Sequence, residues 1–222
     1  MNYTIIVVQF LNIIDIDTTL LRLLALLPAL TIHEAMHAYT AYRLGDPTPK
    51  VAGRISLNPM RHLSLLGTLM IIFAPIGWAK PVPINPYNFR DYKWGMVLTA
   101  IAGPVGNFIL AFLVAIPLKY VEFPADSFIG HFFVQLFLLN IYLMVFNLLP
   151  IPPLDGSKVF LAFVPARFQM KYEKWMADNG IKLFVAIIAG DYFYAKFTGV
   201  SLLGGLLRDI ATPIAAFIHM LV

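Results

Sequence analysis

Residues 33–37 read His-Glu-Ala-Met-His, and they lie inside the apolar run from Thr18 to Leu44. Residues four apart share one face of a helix, so the imidazoles of His33 and His37 can reach one metal ion. Glu34, next to the first histidine, can point toward a water on that metal and accept its proton. The spacing therefore predicts a zinc site within a helix.

Two simpler interpretations compete with a zinc site. Thr31 and Glu34 fit a capping box, in which the glutamate would only help to start a helix. The two histidines could also be hydrogen-bonded core residues. Ionisable side chains inside an apolar run of membrane length are costly, however, and they usually have a function. The setting therefore favours a zinc site in the membrane over both alternatives.

The composition indicates a membrane protein. Of the 222 residues, 59% are hydrophobic and only 13% are charged, and the mean hydropathy is +0.77. A soluble domain of this size needs more charged residues to cover its core. The absence of cysteine excludes disulfides and thiolate ligands, so a metal must be held by His, Asp, Glu or Asn. The net charge of +4 reports membrane topology in such a chain, and we expect no nucleic-acid partner.

The apolar runs predict an all-α polytopic membrane protein built as a helical bundle. Their lengths match what a helix needs to cross a bilayer. The expected strong spans are Thr18–Leu44, Trp94–Leu118 and Ser127–Leu154, and the weaker ones are Ile181–Ala195 and Ser201–Val222.

Four other segments do not fit full spans. Leu63–Ile76 is short and interrupted by a glycine and a proline, which predicts a re-entrant or interfacial segment. Gly77–Pro86 contains three prolines and must be extended. Val159–Asn179 is mixed in polarity and predicts an interfacial segment. Met1–Ile14 lacks the basic start of a signal peptide, and it is either interfacial or the beginning of a helix.

The basic residues predict an orientation. If Leu63–Ile76 enters the membrane and returns, the segments Gly45–Lys93 and Gly156–Lys182 lie on one side and carry most of the lysines and arginines. The opposite turn offers only Lys119. The positive-inside rule then places the basic side in the cytoplasm, with the zinc site facing it.

Asp155 is the best-placed candidate for a third metal ligand. A catalytic zinc needs three protein ligands and an open position. Asp155 follows a long uncharged run, and the prolines before it break the helix and could turn its carboxylate inward. On local grounds alone, an ordinary Asp-Gly turn at a helix end is the more common explanation.

Several motifs together resemble the site-2 protease family, the intramembrane zinc metalloproteases of peptidase family M50. The His-Glu-x-x-His motif is paired with Asn-x-x-Pro-x-Pro-Pro-Leu-Asp-Gly at residues 147–156. Ala102-Gly103-Pro104 followed by Asn107 resembles the motif on the intervening helix. Gly53–Pro59 and Gly77–Pro83 resemble the minimal bacterial and archaeal branch, which lacks PDZ and CBS domains. The resemblance covers Pro28 to Gly156.

This resemblance implies a ligand set and a reaction. His33, His37 and Asp155 would hold one zinc ion per chain, and Glu34 would be the catalytic glutamate. Asn107 and Asn147 would bind substrate backbone or the developing oxyanion, although polar contacts between helices are an equally good explanation for both. The substrates would be membrane proteins with a transmembrane helix, cleaved within or next to that helix in regulated intramembrane proteolysis.

The resulting prediction is one membrane-embedded domain over residues 1–222, with a core at about 18–156 and C-terminal helices at about 181–222. Zinc would lie between the His-Glu-x-x-His helix and the Asp-Gly end of a later helix, beside a re-entrant or extended segment. We expect an integral protein of a prokaryotic cell membrane, with the lipid bilayer as partner and homo-oligomerisation left open. A zinc transporter and a non-catalytic scaffold are the alternative functions.

Overall fold

The computed structural model describes residues 16–64 and 79–222, and their regular structure is almost entirely helical. The helices are α1 (Ile16–Arg43), α2 (Thr48–Val51), α3 (Tyr92–Tyr120), α4 (Phe128–Asn147), α5 (Asp155–Phe160), α6 (Ala166–Thr198) and α7 (Leu202–Leu221). Short 3-10 turns lie at Pro59–Arg61, Pro86–Asn88 and Leu161–Phe163. Within these described ranges the only β pairing is one isolated bridge, so the all-α prediction is confirmed.

Four of these helices, α1, α3, α4 and α7, are long and apolar enough to cross a membrane. They pack around a common core, in which Ala25 and Ala29 of α1 and Ala111 of α3 are fully buried. Small side chains let helix backbones approach closely, which is how helices associate inside a bilayer. Ile141 of α4 and Ile218 of α7 complete this core.

The chain ends α4 earlier than the sequence suggested. The predicted span ran to Leu154, but the helix stops at Asn147. Residues 148–154 include three prolines, which cannot continue a helix. These residues turn back toward the bundle, and α5 starts directly at Asp155.

The sequence predicted two separate segments between Val159 and Ala195, and this division was wrong. One continuous helix, α6, runs from Ala166 to Thr198 where an interfacial stretch and a separate span were expected. This helix contains no proline, and both of its glycines, Gly180 and Gly190, lie inside it. Gly180 lies against Pro152, where an added Cβ would be 2.6 Å from the proline Cβ. The glycine therefore serves close packing and not termination.

The predicted re-entrant segment Leu63–Ile76 falls mostly outside the described residues, and so does the interpretation of Met1–Ile14. The flanks of the former are described. Leu63 and Ala79 form an antiparallel bridge, and the Lys80 N–H donates to the His62 carbonyl over 2.7 Å. Both flanks therefore lie together at one end of the bundle. The C-terminal part of α1, the N-terminal part of α3 and the start of α5 meet at that same end.

Candidate metal centre

Three side chains from α1 and α5 point to one position. The Nε2 atoms of His33 and His37 are 3.0 Å apart. The Oδ2 atom of Asp155 is 3.2 Å from the first of these nitrogens and 3.1 Å from the second. The three residues are buried, at 4%, 7% and 8% exposure. Among the described residues, this is the one group of three that could hold a metal ion.

The hydrogen bonds of the other imidazole nitrogens establish which tautomer each histidine adopts. Nδ1 of His37 lies 2.7 Å from the Thr99 carbonyl, which can only accept, so this nitrogen carries the proton. Nδ1 of His33 lies 2.6 Å from Oδ1 of Asn107 and donates to it. Both Nε2 atoms are therefore free to ligate, and such partners orient metal-binding histidines in general.

This arrangement fits zinc. Two imidazole lone pairs and a carboxylate oxygen, all of them acceptors, lie within 3.2 Å of one another, and a cation between them would relieve their repulsion. In a tetrahedral zinc site, ligand atoms at about 2.0–2.1 Å from the metal lie about 3.3 Å from each other. The donor set of two histidines and one carboxylate also matches that of known catalytic zinc sites, which keep one open position.

Close packing of α3 against the histidines depends on glycine. A Cβ added at Gly103 would lie 2.4 Å from Nε2 of His37 and 2.7 Å from Cε1 of His33. A Cβ at Gly106 would lie 2.6 Å from Cγ of Met36. The Ala-Gly-Pro motif therefore has a steric role, since any side chain at 103 would enter the ligand triangle.

Glu34 borders a cavity of about 360 Å³ that also contains the three ligands. Glu34 is half-buried. Asn147 and Lys158 line the same cavity, and so do residues of the extended segment 81–86. The acid and the metal site therefore face one common cavity.

The two asparagines expected at the substrate lie in different environments. Asn147 borders the cavity and donates a hydrogen bond from Nδ2 to the Leu143 carbonyl over 2.9 Å. Asn107 is fully buried behind the histidines. Its Oδ1 faces His33, and its Nδ2 donates to the Ala29 carbonyl over 3.0 Å and to Oδ1 of Asn140 over 2.8 Å. Each polar atom of Asn107 is therefore already bonded.

The extended segment 81–86 forms one wall of the cavity, and Arg54, a buried cation, bonds the beginning of this wall. Arg54 is 4% exposed, and its guanidinium donates to the Pro81 carbonyl over 2.8 Å and to the carbonyls of Arg61 and Lys80. Burial lowers the pKa of Arg54, and the charge of Glu34 opposes this shift. Sequence reasoning noted Arg54 only as part of a family motif.

Asp46, a buried anion, holds the other end of the wall. Its Oδ2 accepts from the Asn85 N–H over 2.7 Å, and its Oδ1 accepts from Nδ2 of Asn88 over 2.8 Å and from Thr48. Burial would raise the pKa of Asp46, but these hydrogen bonds outweigh it and lower the pKa. In the sequence, Asp46 lies between Gly45 and Pro47, which are typical of a helix end, and no motif points to its contacts with Asn85 and Asn88.

Known proteins with related sequences place the chain in a family. The family model for peptidase family M50 matches residues 117–190, which include Asp155. "Putative zinc metalloprotease YwhC" of Bacillus subtilis is 43% identical over 155 residues, which make up 67% of this chain and 71% of that relative. The chain belongs to peptidase family M50.

Other M50 relatives match a smaller share of their length. "Putative zinc metalloprotease Rip2" of Mycolicibacterium smegmatis is 33% identical over 135 residues, covering 59% of this chain and 52% of the relative. The protein of the same name from Mycobacterium tuberculosis is 32% identical over 134 residues, with the same coverage. No solved structure matches significantly. Family membership confirms the resemblance to site-2 proteases and supports zinc as the metal of this M50 peptidase.

Proposed function

We propose that this M50 metallopeptidase cleaves peptide bonds within or next to transmembrane segments of membrane proteins. One observation carries the proposal: the ligand triangle of His33, His37 and Asp155 lies between helices long and apolar enough to span a membrane, in a cavity that also contains Glu34. A peptidase with this geometry acts on a peptide that reaches the end of the membrane bundle at which α1, α3 and α5 meet. Regulated intramembrane proteolysis is the process that such cleavage would serve.

The catalytic roles follow from the side chains that line the cavity. Zinc bound by the three ligands would act as a Lewis acid toward the scissile carbonyl and the attacking water. Glu34 takes the proton from that water and delivers it to the leaving amine. Glu34 makes no hydrogen bond or ion pair with the described residues, so its carboxylate is available for this transfer. Thr99 and Asn107 hold the histidines through their Nδ1 atoms.

The substrate must be extended, because helical hydrogen bonds and side chains shield a helical carbonyl. The wall segment 81–86 offers a seat for such a strand. In an extended chain, alternate residues direct their backbone groups to opposite edges. Pro81 and Asn85 use one edge to bond Arg54 and Asp46. Val82 and Ile84 line the cavity. By this alternation we expect their N–H and carbonyl groups to face the other edge, where a substrate strand could pair.

The prolines of the wall segment could be expected to prevent strand pairing with a substrate, because they lack the N–H that a ladder needs. By the same alternation, however, Pro81 and Pro83 fall on the edge that faces the protein and not on the edge that faces the substrate. We assign Asn147, which borders the cavity, to the substrate backbone or oxyanion. For Asn107, whose polar atoms are all bonded, we propose the positioning of His33.

A zinc transporter is the main alternative. A transporter needs a series of polar sites along its path, whereas the described residues contain a single group of three metal-ligating side chains. A scaffold would not need a free carboxylate beside that group. The basic segments at the same end of the bundle favour a cytoplasmic active site by the positive-inside rule.

The proposal is tested by co-expression with candidate single-span membrane proteins in a bacterial host. Wild-type protein should produce a cleaved fragment whose new terminus maps within or next to the transmembrane segment, and Glu34→Gln should not. Cleavage confined to soluble domains distant from the membrane would contradict the proposal.

A further inference from the structure

A buried chain of side-chain amides connects His33 to α4. Asn107 of α3 accepts from Nδ1 of His33 over 2.6 Å, and its own Nδ2 donates to Oδ1 of Asn140 over 2.8 Å. Nδ2 of Asn140 donates to the Leu136 carbonyl, one turn earlier on α4, over 2.7 Å. Both asparagines are 0% exposed. Asn140 belongs to none of the motifs that the sequence analysis singled out.

The ends of this chain determine its direction. An amide group can present either its oxygen or its nitrogen, but a backbone carbonyl can only accept. The Leu136 carbonyl therefore requires Nδ2 of Asn140 on its side, which turns Oδ1 of Asn140 toward Asn107. That oxygen, together with the Ala29 carbonyl, requires Nδ2 of Asn107 on the far side from His33. Oδ1 of Asn107 then faces His33 and holds the proton on Nδ1.

We propose that Asn140 is a positioning residue for the metal site, acting through Asn107 to keep His33 in the tautomer that ligates zinc. The inference rests on the proposed function only in that His33 binds the metal. The chain of amides connects α4, which leads to Asp155, with His33 of α1. Formation of the ligand triangle is therefore linked to the packing of three membrane helices.

Loss of Asn140 would affect the two histidines differently. Without the acceptor at 140, one N–H of Asn107 is left unpaired in the core, which is costly. The Ala29 carbonyl alone then holds the Asn107 amide in place, so the penalty for rotating it becomes smaller. In molecules in which it rotates, Asn107 would present an N–H group to Nδ1 of His33. The imidazole would respond by carrying its proton on Nε2, where zinc should bind. His37 would be unaffected, because its Nδ1 donates to the Thr99 carbonyl.

The test measures metal binding and not proteolysis. Zinc affinity of the purified full chain is determined by competition with a chelator, and Co²⁺ is substituted so that its visible spectrum reports the coordination geometry. We expect Asn140→Leu to lower zinc affinity about tenfold, within the range typical for residues that orient metal ligands, and to weaken the tetrahedral cobalt bands. Met144→Leu, one turn along α4 in the same core, is the matched control and should bind zinc like wild type.

The conservative variant separates positioning from general packing. Asn140→Asp has the same shape, and its neutral form donates from its hydroxyl to the Leu136 carbonyl while its other oxygen accepts from Asn107, so it should recover most of the affinity. Asn140→Ala replaces Asn140→Leu in the comparison if the latter does not fold. Equal affinity losses in Asn140→Asp and Asn140→Leu, or wild-type affinity in Asn140→Leu, would overturn the inference.

A double variant tests whether Asn140 acts through Asn107. Asn107→Leu should weaken zinc binding, and adding Asn140→Leu should change it by less than about twofold, because residues in one network are not additive. Multiplied losses would show that Asn140 acts by another route and would defeat the inference. Failure of the proposed function is a separate outcome: wild type would then hold zinc but cleave nothing within or next to a transmembrane segment, and the comparison of zinc affinities would be unaffected.

Discussion

Gly103 lies so close to His37 that a Cβ at position 103 would be 2.4 Å from the ligating Nε2 atom. Helix α3 therefore contacts the metal site directly through a backbone position without a side chain. This contact explains why the glycine of the Ala-Gly-Pro motif stands opposite the His-Glu-x-x-His motif. It also shows that the ligand triangle depends on the packing of α1 against α3.

Gly103→Ala should disturb the ligand triangle. Overpacking a tight contact typically costs 1–3 kcal/mol of stability, and here the displaced atoms are zinc ligands, so we expect zinc occupancy and activity to fall together. The measurements are metal content and thermal unfolding in detergent. Gly205→Ala is the control, because an added Cβ there meets nothing within 4 Å. Full zinc occupancy in Gly103→Ala would contradict the packing argument.

Removing a ligand should lower metal content. Wild type is expected to hold about one zinc per chain, since one three-ligand site is present among residues 16–64 and 79–222. His37→Ala and Asp155→Ala should lose most of this zinc at low free metal, as measured by elemental analysis after dialysis. His131→Ala, on an exposed position of α4, should retain it. If Asp155→Ala stays fully loaded, then Asp155 is not the third ligand.

Glu34→Gln should separate metal binding from catalysis. Glutamine preserves the shape of the side chain but cannot take the proton from water. Loss of a general base typically costs 10²–10⁴-fold in rate, and we expect a loss at or beyond the upper end while zinc content stays near wild type. The assay is cleavage of a membrane-embedded substrate in liposomes, with zinc measured on the same sample. Proteolysis near the wild-type rate in the zinc-loaded variant would rule out Glu34 as the proton shuttle.

Asp46→Asn should loosen the cavity wall without touching the metal site. Both carboxylate oxygens of Asp46 accept hydrogen bonds, one of them from the Asn85 N–H. In Asp46→Asn an NH₂ group would replace one of these oxygens and would face an N–H group from which it cannot accept a hydrogen bond. We expect KM to rise several-fold with a smaller change in kcat, and zinc affinity to stay unchanged. Asp91→Asn, a change of the same chemistry at the start of α3, is the control. An unchanged KM would argue against the wall segment as the substrate seat.

The lowered pKa of Asp46 also predicts how the stability difference between wild type and Asp46→Asn depends on pH. The folded-state pKa of Asp46 is lower than its ordinary value of 3.8. The stability that its carboxylate contributes is therefore present above that ordinary value and is lost as the pH falls through the lower, folded-state pKa. Wild type should be more stable than Asp46→Asn at neutral pH, and the difference should shrink in strong acid. Thermal unfolding between pH 7 and pH 3 measures it, and a difference that grows with acidity would contradict the assignment.

The orientation of the bundle can be tested by labelling. The sequence contains no cysteine, so single cysteines at Lys50, Lys80 and Lys171 report without background. All three should react with a membrane-impermeant reagent from the cytoplasmic side, and a cysteine at Lys119 should react from the opposite side. Reaction of the Lys80 position from the outer face would disprove the orientation of the basic segments.

The sequence alone identified the elements of this protein that depend on local spacing. Two histidines four residues apart share a helical face wherever that helix lies, and the apolar runs had the length that a bilayer requires. Family motifs pointed to Asp155, and the structure brings it within 3.2 Å of both histidines. These features needed no knowledge of how the helices pack.

Tertiary structure alone decided the roles of the polar residues around the site. No sequence pattern assigned a role to Asp46, and Arg54 belonged only to a family motif. Both are buried, and they bond Asn85 and Pro81 of the cavity wall. For Asn107 the sequence left substrate binding and a polar contact between helices equally open, and its amide bonds His33 and Asn140. The division of α6 into two segments followed a change in polarity along the chain, but the helix continues through it from Ala166 to Thr198. Only the packed structure shows that Gly180 of this helix lies against Pro152. A side chain's partners depend on which helices become neighbours, and spacing along the chain carries no information about that.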